Sequence, residues 1–350
     1  MFCAGIDTHK DFHVLVIADE LGREMYHESF SADEQGICSL TNALSNAGEC
    51  IVCGIEGTGS YGATLAEHLL AEGFPIVEVS RPKRSRIKGA RDKSDHRDAH
   101  RAALRALAGE GVSVKPRGGD AQAVQCLLAA YKRLRDTCTS LSNCICALIV
   151  SAPEPYRARF TGLKGAKLMD AIARTRVGAG GKSEAQQATL TSLKTLERTW
   201  RTAHEQAEKI LSQMEAIIVD HAPALLDIFG VATVTAAEFI ALGGENPSRI
   251  KSESAFARAA GAAPIEASSG RVVRHRLDRG GARSANAALH TVVLCRMARD
   301  ERTHAYVERR TKEGLSKREI MRCLKRYVCR EIYRVLCAEE RRRNQQKEAS

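Results

Sequence analysis

The sequence predicts an α/β domain with a mixed sheet at its N-terminal end, a long coiled-coil helical insert, and a mainly α, strongly basic C-terminal domain. Three observations carry this reading. Short apolar runs give way to a strand, turn, helix, strand pattern within the first 80 residues. Two apolar series at heptad spacing fill the middle, and the last 80 residues hold the whole positive excess.

Residues 2–30 read as three strands joined by tight turns. Apolar runs over 2–6 and 13–18 precede ADELGRE, whose Asp and Gly mark a hairpin. A helix fits 32–47. CIVCGIEGTGSYGATLAEHLLAEGFPIVEVS then reads as strand, glycine turn, helix and strand. Antiparallel strands followed by β-α-β make a mixed sheet. The helix that holds Asp95 and Asp98 closes this domain, which spans 1–115.

Residues 116–220 differ. Val124, Leu127, Tyr131, Leu134, Cys138, Leu141, Ile145 and Leu148 recur at alternating spacings of three and four. Leu193, Leu196, Trp200, Ala203, Ala207, Ile210, Met214 and Ile217 do the same. The pattern predicts a long helical hairpin or dimerising arm, turned at VGAGGKS, with a role in spacing and assembly. Residues 221–340 are globular again, with short helices near 233–242 and 252–260 and a strand in GRVVRHRL. Long basic helices follow over 283–299 and 316–341, and 341–350 reads as a frayed tail.

Composition removes several classes. Hydrophobic residues make up 44% and charged residues 27%, as in ordinary soluble chains, and no stretch approaches the length of a membrane span. The N-terminus lacks a basic-then-apolar leader, so the expectation is a cytoplasmic protein with no membrane partner. Twelve cysteines include one C-x-x-C pair, Cys50 and Cys53, with no second pair to complete a metal site; they read as reduced thiols. The net charge of +11 is unevenly placed. Residues 271–350 hold 22 Lys and Arg against 10 Asp and Glu, the electrostatic footprint of a partner such as nucleic acid.

Two phosphate-like motifs mislead. GAGGKS (178–183) has Arg176 where a phosphate loop needs glycine, and it follows no strand. Gly57, Gly59 and Gly62 fit a dinucleotide turn, with Glu78 ending the next strand. Against that reading, Glu56 would set a carboxylate beside the pyrophosphate, and hairpin strands do not open a nucleotide fold. Glu56 fits better in another constellation. Asp7 lies on the first strand, Glu56 ends a later one, and Asp95 and Asp98 are one turn apart on a helix. Four carboxylates converging at one sheet edge make a hard-oxygen site for Mg²⁺, and two such ions suit phosphodiester chemistry. Asp11 and Asp92 are read as surface acids.

GIDTHKDFHVLV, GIEGTGSYG and VEVSRPKRSRIKGARDKSDHRDAHRAA resemble the N-terminal domain of DEDD-type insertion-sequence transposases and the related site-specific DNA invertases. The resemblance resumes at IFGVATVTAAEFIALGGENPSRIKSESAFARAAGAAPIEASSGRVVRHRLDRGG, similar to that family's transposase domain. It implies a ribonuclease H-like, RuvC-like first domain with its tetrad on Asp7, Glu56, Asp95 and Asp98. It also implies a serine-containing domain over 221–340 with a helix-hairpin-helix-like start. The reactive serine falls on Ser269, before Gly270, with Ser268 as its neighbour and alternative. The usual glycine-x-glycine of the hairpin is here Gly230-Val231-Ala232.

What the resemblance implies for function is a bacterial, RNA-guided DNA transposase or recombinase. The tetrad would bind Mg²⁺, two ions, around a scissile phosphate, and Ser269 would attack it to leave a phosphoserine link to DNA. Strand exchange needs several active sites, hence a homo-oligomer, dimer or tetramer, in which one subunit's serine domain completes another's tetrad. The partners implied are element-end and target DNA and a structured noncoding guide RNA. Arg274, Arg276, Arg279 and Arg283 flank the serine turn and are the first candidates for phosphate contacts. Lys317, Arg318, Arg322, Lys325 and Arg326 on one helix are the second. A junction-resolving endonuclease that uses water, or a non-enzymatic DNA-binding protein, are the competing readings.

Overall fold

The computed structural model describes residues 1–79, 94–116, 118–176, 183–266, 275–277 and 280–349. Strands β1 (Phe2–Thr8), β2 (Phe12–Ala18) and β3 (Glu24–Ser31) form an antiparallel meander. The β2–β3 turn is set by Asp19, whose Oδ1 accepts from the N–H groups of Leu21 and Arg23, and by Gly22 at φ +81°. Helix α1 (Glu34–Asn46) follows, capped by Asp33, then β4 (Cys50–Ile55), α2 (Ala63–Ala71), β5 (Ile76–Glu78), α3 (Asp95–Leu107) and β6 (Val112–Ser113). The sheet order is β3-β2-β1-β4-β5-β6, with β4 parallel to both β1 and β5, and β6 antiparallel to β5. This mixed α/β arrangement is consistent with the RuvC-like fold that the resemblance implied.

Strand alternation divides the sheet into two faces. Phe2, Ala4 and Ile6 of β1, with Cys53 and Ile55 of β4, pack on Leu40 and Leu44 of α1 and Leu65 and Leu69 of α2. The other face carries Gly5 and Gly54, and there α3 lies almost on the backbone. A Cβ at Gly5 would run into the Ala99 carbonyl oxygen and the Ala103 nitrogen; one at Gly54 would run into the Ala102 carbonyl oxygen. Ala99, Ala102, Ala103 and Ala106, all buried, form the small-residue stripe of α3 that meets these glycines.

Beyond the sheet the chain is mainly helical. The elements are α4 (Gly119–Val150), α5 (Tyr156–Phe160), α6 (Gly165–Arg174), α7 (Glu184–His221), α8 (Thr233–Gly243), α9 (Glu253–Ala259), β7 (Pro264–Glu266), β8 (His275–Leu277), α10 (Arg283–Arg299), α11 (Glu301–Lys312) and α12 (Lys317–Glu348). Strands β7 and β8 pair with each other. Contacts group the chain into two units, one of residues 1–119, 243–282 and 329–350, the other of 120–242 and 283–328.

In the first unit the second half of α12 holds the segment before α9. Ser248 donates from its backbone and its hydroxyl to Glu340, Arg343 donates to the Glu245 carbonyl, and Arg334 pairs with Glu253. Arg249 reaches the Ser113 carbonyl at 3.4 Å. These ties explain why α12 runs to Glu348 where the sequence suggested a frayed tail. Glu339 and Glu340 are buried, and Glu339 pairs with Arg342 one turn on.

In the second unit α4 and α7 run antiparallel. Asp120 faces His221, Arg135 faces His204, and Cys138 donates to the Trp200 carbonyl, so positions rise on one helix as they fall on the other. The connection is more than the turn expected at VGAGGKS, of which residues 177–182 lie outside the described residues. Helices α5 and α6 bring Tyr156, Phe160, Leu168, Met169 and Ile172 into one core with Ile145, Ile149, Leu190 and Leu193. Ser183, the serine of the false phosphate motif, caps α7 in a capping box with Gln186.

Candidate active site

Asp7 and Glu56 are neighbours because β1 and β4 are parallel and in register, Ile6 beside Ile55. Glu56 donates its N–H to the Ile6 carbonyl at 3.1 Å, and the Thr8 hydroxyl donates to the Glu56 carbonyl at 2.7 Å, fixing the chain where it leaves β4. Asp7 shares the strand face of Gly5, so its carboxylate lies on the side where α3 packs, while Glu56 is the first residue past the end of β4. Both are buried, Asp7 at 6% and Glu56 at 3% exposure, although no apolar contact rewards burying a carboxylate.

Helix α3 brings the other two acids. Ser94 caps it, accepting from the Arg97 N–H, and Asp95 and Asp98 occupy its first turn, where negative charge is favoured by the helix dipole. Asp98 is paired with Arg101 at 3.0 Å. His9, two residues past Asp7, stands between the groups: its Nε2 lies 3.2 Å from Asp7 Oδ2 and 3.5 Å from Asp95 Oδ1. Burial pushes the Asp7 carboxyl above its ordinary range; His9 opposes the shift, while Asp95 and Asp98 add to it. Asp7, His9 and Asp95 thus lie together, the Asp98 charge also acts on Asp7, and Glu56 is the first residue past the adjoining strand.

The donor set suits a hard divalent cation. It consists of carboxylate oxygens on the sheet and a helix terminus beside the His9 imidazole, with one buried acid whose proton affinity is raised first by burial and further by neighbouring negative charge. Asp7, His9 and Asp95 offer ligand atoms all within 4.8 Å of one another. His9 is the participant that sequence reasoning missed. Its signal was available, because residues two apart in extended chain share a face. Asp11 is exposed, as expected, and Asp92 lies outside the described residues.

Two family models match the chain. One, described as Transposase and built on the DEDD enzymes of IS110 elements, matches residues 4–152. The other, described as Transposase IS116/IS110/IS902 family, matches residues 222–308. The chain belongs to the IS110 family of DEDD-type transposases. It is therefore an insertion-sequence enzyme of DNA transposition, one that binds DNA, and DEDD-type transposases use divalent metal ions. No curated protein matches the chain. The first match takes in Asp7, Glu56, Asp95 and Asp98; the second takes in Ser269.

Other expected residues of this transposase fall variously. Ser268, Ser269, Arg274 and Arg279 lie outside the described residues. Arg276 on β8, Arg283 opening α10, and Lys317 and Arg318 opening α12 are exposed. Arg322 and Arg326 are half-buried. Lys325 turns inward, its Nζ donating to Asn286 Oδ1 at 2.7 Å, and burial lowers its proton affinity. None of the twelve cysteines is in a disulfide; burial pushes the Cys50 thiol up to about 11 and raises the Cys53 thiol well above its ordinary value, which keeps both inert. No helix among the described residues is long and apolar enough to cross a membrane.

Proposed function

We propose that this transposase cuts and exchanges DNA strands at a site formed by Asp7, Glu56, Asp95 and Asp98, with Ser269 as the attacking group. The observation that supports it most is that His9 bridges Asp7 on β1 to Asp95 in the first turn of α3, which also carries Asp98, while Glu56 follows the adjacent parallel strand. Magnesium bound there, as two ions, would neutralise charge on the scissile phosphate and make a serine hydroxyl a competent nucleophile. The sheet holds Asp7 and Glu56 rigidly, while His9 keeps the Asp7 and Asp95 carboxylates oriented. Ser269 Oγ bonds to phosphorus as the bond to the leaving deoxyribose oxygen breaks. The resulting phosphoserine keeps the energy of the cut bond, so rejoining needs no ATP.

The division of labour follows sequence order: a catalytic domain over 1–115, a coiled-coil arm over 116–220, and a serine domain over 221–340 that opens in helix-hairpin-helix style near Gly230. Tyr131, Leu134, Leu141, Ile210 and Ile217 of the heptad series are only half-buried on α4 and α7, which supports assembly with a second copy through this arm. Exposed Arg276, Arg283, Lys317 and Arg318 are suited to phosphate contacts, with Arg274, Arg279, Arg322 and Arg326 beside them in sequence. Lys325 serves to tie α12 to α10. The noncoding guide RNA rests on the resemblance, and the basic surplus of residues 271–350 suits either nucleic acid.

The test uses protein co-expressed with its native flanking DNA, labelled junction DNA, Mg²⁺ and a denaturing gel. Label migrating with the wild-type protein, and lost with Ser269→Ala or EDTA, is the expected result. Cleaved DNA without an adduct, unchanged in Ser269→Ala, identifies a water-using junction endonuclease instead.

A further inference from the structure

A second group of metal-ligating side chains lies on the same domain. Glu24 and His27 come from β3 and His96 from α3, and their ligand atoms all lie within 4.8 Å of one another. Glu24 Oε1 is 2.7 Å from His27 Nδ1, and Oε2 is 2.8 Å from His96 Nε2. The two imidazoles meet edge to face, with centroids 4.4 Å apart.

Residues three apart on a strand ordinarily face opposite sides of the sheet. Here the ladder slips: Ile17 opposes Tyr26, but Ala18 opposes Glu24, which leaves Met25 as the extra residue of a bulge. The bulge swings Glu24 round to the side of His27. That side faces α3, because His27 pairs with Val16 and Glu24 with Ala18, and these pack beside Ala99 and Ala103. A bulge breaks ladder pairing and re-aims a side chain; this one aims a carboxylate at two imidazoles.

We propose that Glu24, His27 and His96 bind one divalent transition-metal ion of the zinc class, clamping β3 to the first turn of α3. Two imidazole nitrogens and a carboxylate suit zinc and its neighbours and are a poor set for Mg²⁺, so this site and the carboxylate cluster select different ions. Tetrahedral ligands about 2.0–2.1 Å from zinc lie about 3.3 Å apart, within reach of these atoms by side-chain rotation. Glu24 and His27 are exposed, which lets the ion enter a folded protein and leaves a coordination position for water. His96 adjoins Asp95, so the ion would fix the orientation of the turn that presents Asp95 and Asp98. The site itself does not depend on the proposed role of those acids.

The experiment takes the full-length protein, stripped with chelator, and titrates it with Zn²⁺ by calorimetry in excess Mg²⁺, with Co²⁺ absorption as a second readout. One ion per chain is expected, with affinity lowered more than about tenfold in both His27→Ala and Glu24→Gln and unchanged in Asp7→Asn. The Co²⁺ spectrum should lack thiolate charge transfer, which separates this site from the free cysteines. Glu24→Gln keeps the side-chain shape and decides the matter if His27→Ala misfolds. No stoichiometric binding, binding that survives Glu24→Gln, thiolate bands, or binding lost in Asp7→Asn each overturns the assignment. Zinc binding that behaves as expected in protein that forms no DNA adduct would leave this site standing and remove the serine reading alone.

Discussion

Asp7 shows most clearly what the site costs the fold. Its carboxylate is buried beside like charges, which His9 offsets in part. An acid whose folded-state affinity for a proton is raised above 3.8 favours the folded state at low pH and loses that contribution as pH rises through its raised value. Asp7→Asn is therefore expected to stabilise the metal-free protein at neutral pH by about 1 kcal/mol, a Tm rise of about 2–4 °C, while abolishing DNA cleavage. The stabilisation should shrink as the pH is lowered toward 3.8. A melt series with and without Mg²⁺ checks this; a lower Tm for the variant in metal-free buffer would contradict it. At this scale the nearness of Asp7 and Asp95 was legible, because strand ends and helix turns can be read from spacing. His9 was overlooked although strand alternation pointed to it.

The contact of α3 with the sheet decides whether those residues meet. Gly5 and Gly54 are the points of closest approach, so Gly5→Ala must push α3 away from β1. It is expected to destabilise the protein by about 2–4 kcal/mol, read from urea unfolding. It should also lower cleavage even where the protein remains folded, because Asp95 and Asp98 move with the helix. Unchanged stability would mean that α3 is not held this closely. The strand meander, α1 and the β-α-β pattern were legible because alternation and turn residues are local signals. Helices α5 and α6 were not: Tyr156, Phe160, Leu168 and Ile172 look like scattered apolar residues until α4 and α7 supply the other wall of their core. The end of α12 was misread for the same reason. EERRRNQQKE looks solvated, yet Glu340 and Arg343 are anchored by residues nearly 100 positions away.

Across the whole molecule, charge and assembly matter more than any single contact. Each phosphate contact releases counterions, so DNA affinity should fall steeply with salt. Lys317→Gln combined with Arg318→Gln is expected to weaken binding evenly across DNA sequences and reduce the salt slope by about 2. Fluorescence anisotropy at several salt concentrations measures this; an unchanged slope would place the DNA elsewhere. The heptad series was readable as a hairpin, since α4 and α7 pair antiparallel. Grouping of residues 243–282 and 329–350 with the N-terminal sheet was not, because no local pattern encodes which distant segments share a unit.

In the proposed catalytic centre four acids meet, Asp7 from β1, Glu56 just past β4, and Asp95 and Asp98 from α3. Its most direct test is Mg²⁺-dependent cleavage of labelled junction DNA by Asp7→Asn, Glu56→Gln, Asp95→Asn and Asp98→Asn, each confirmed folded by circular dichroism. Every variant is predicted to lose cleavage by about a hundredfold or more, about 2.7 kcal/mol of barrier. Cleavage at the wild-type rate by a folded Glu56→Gln or Asp98→Asn protein would contradict a single four-carboxylate site.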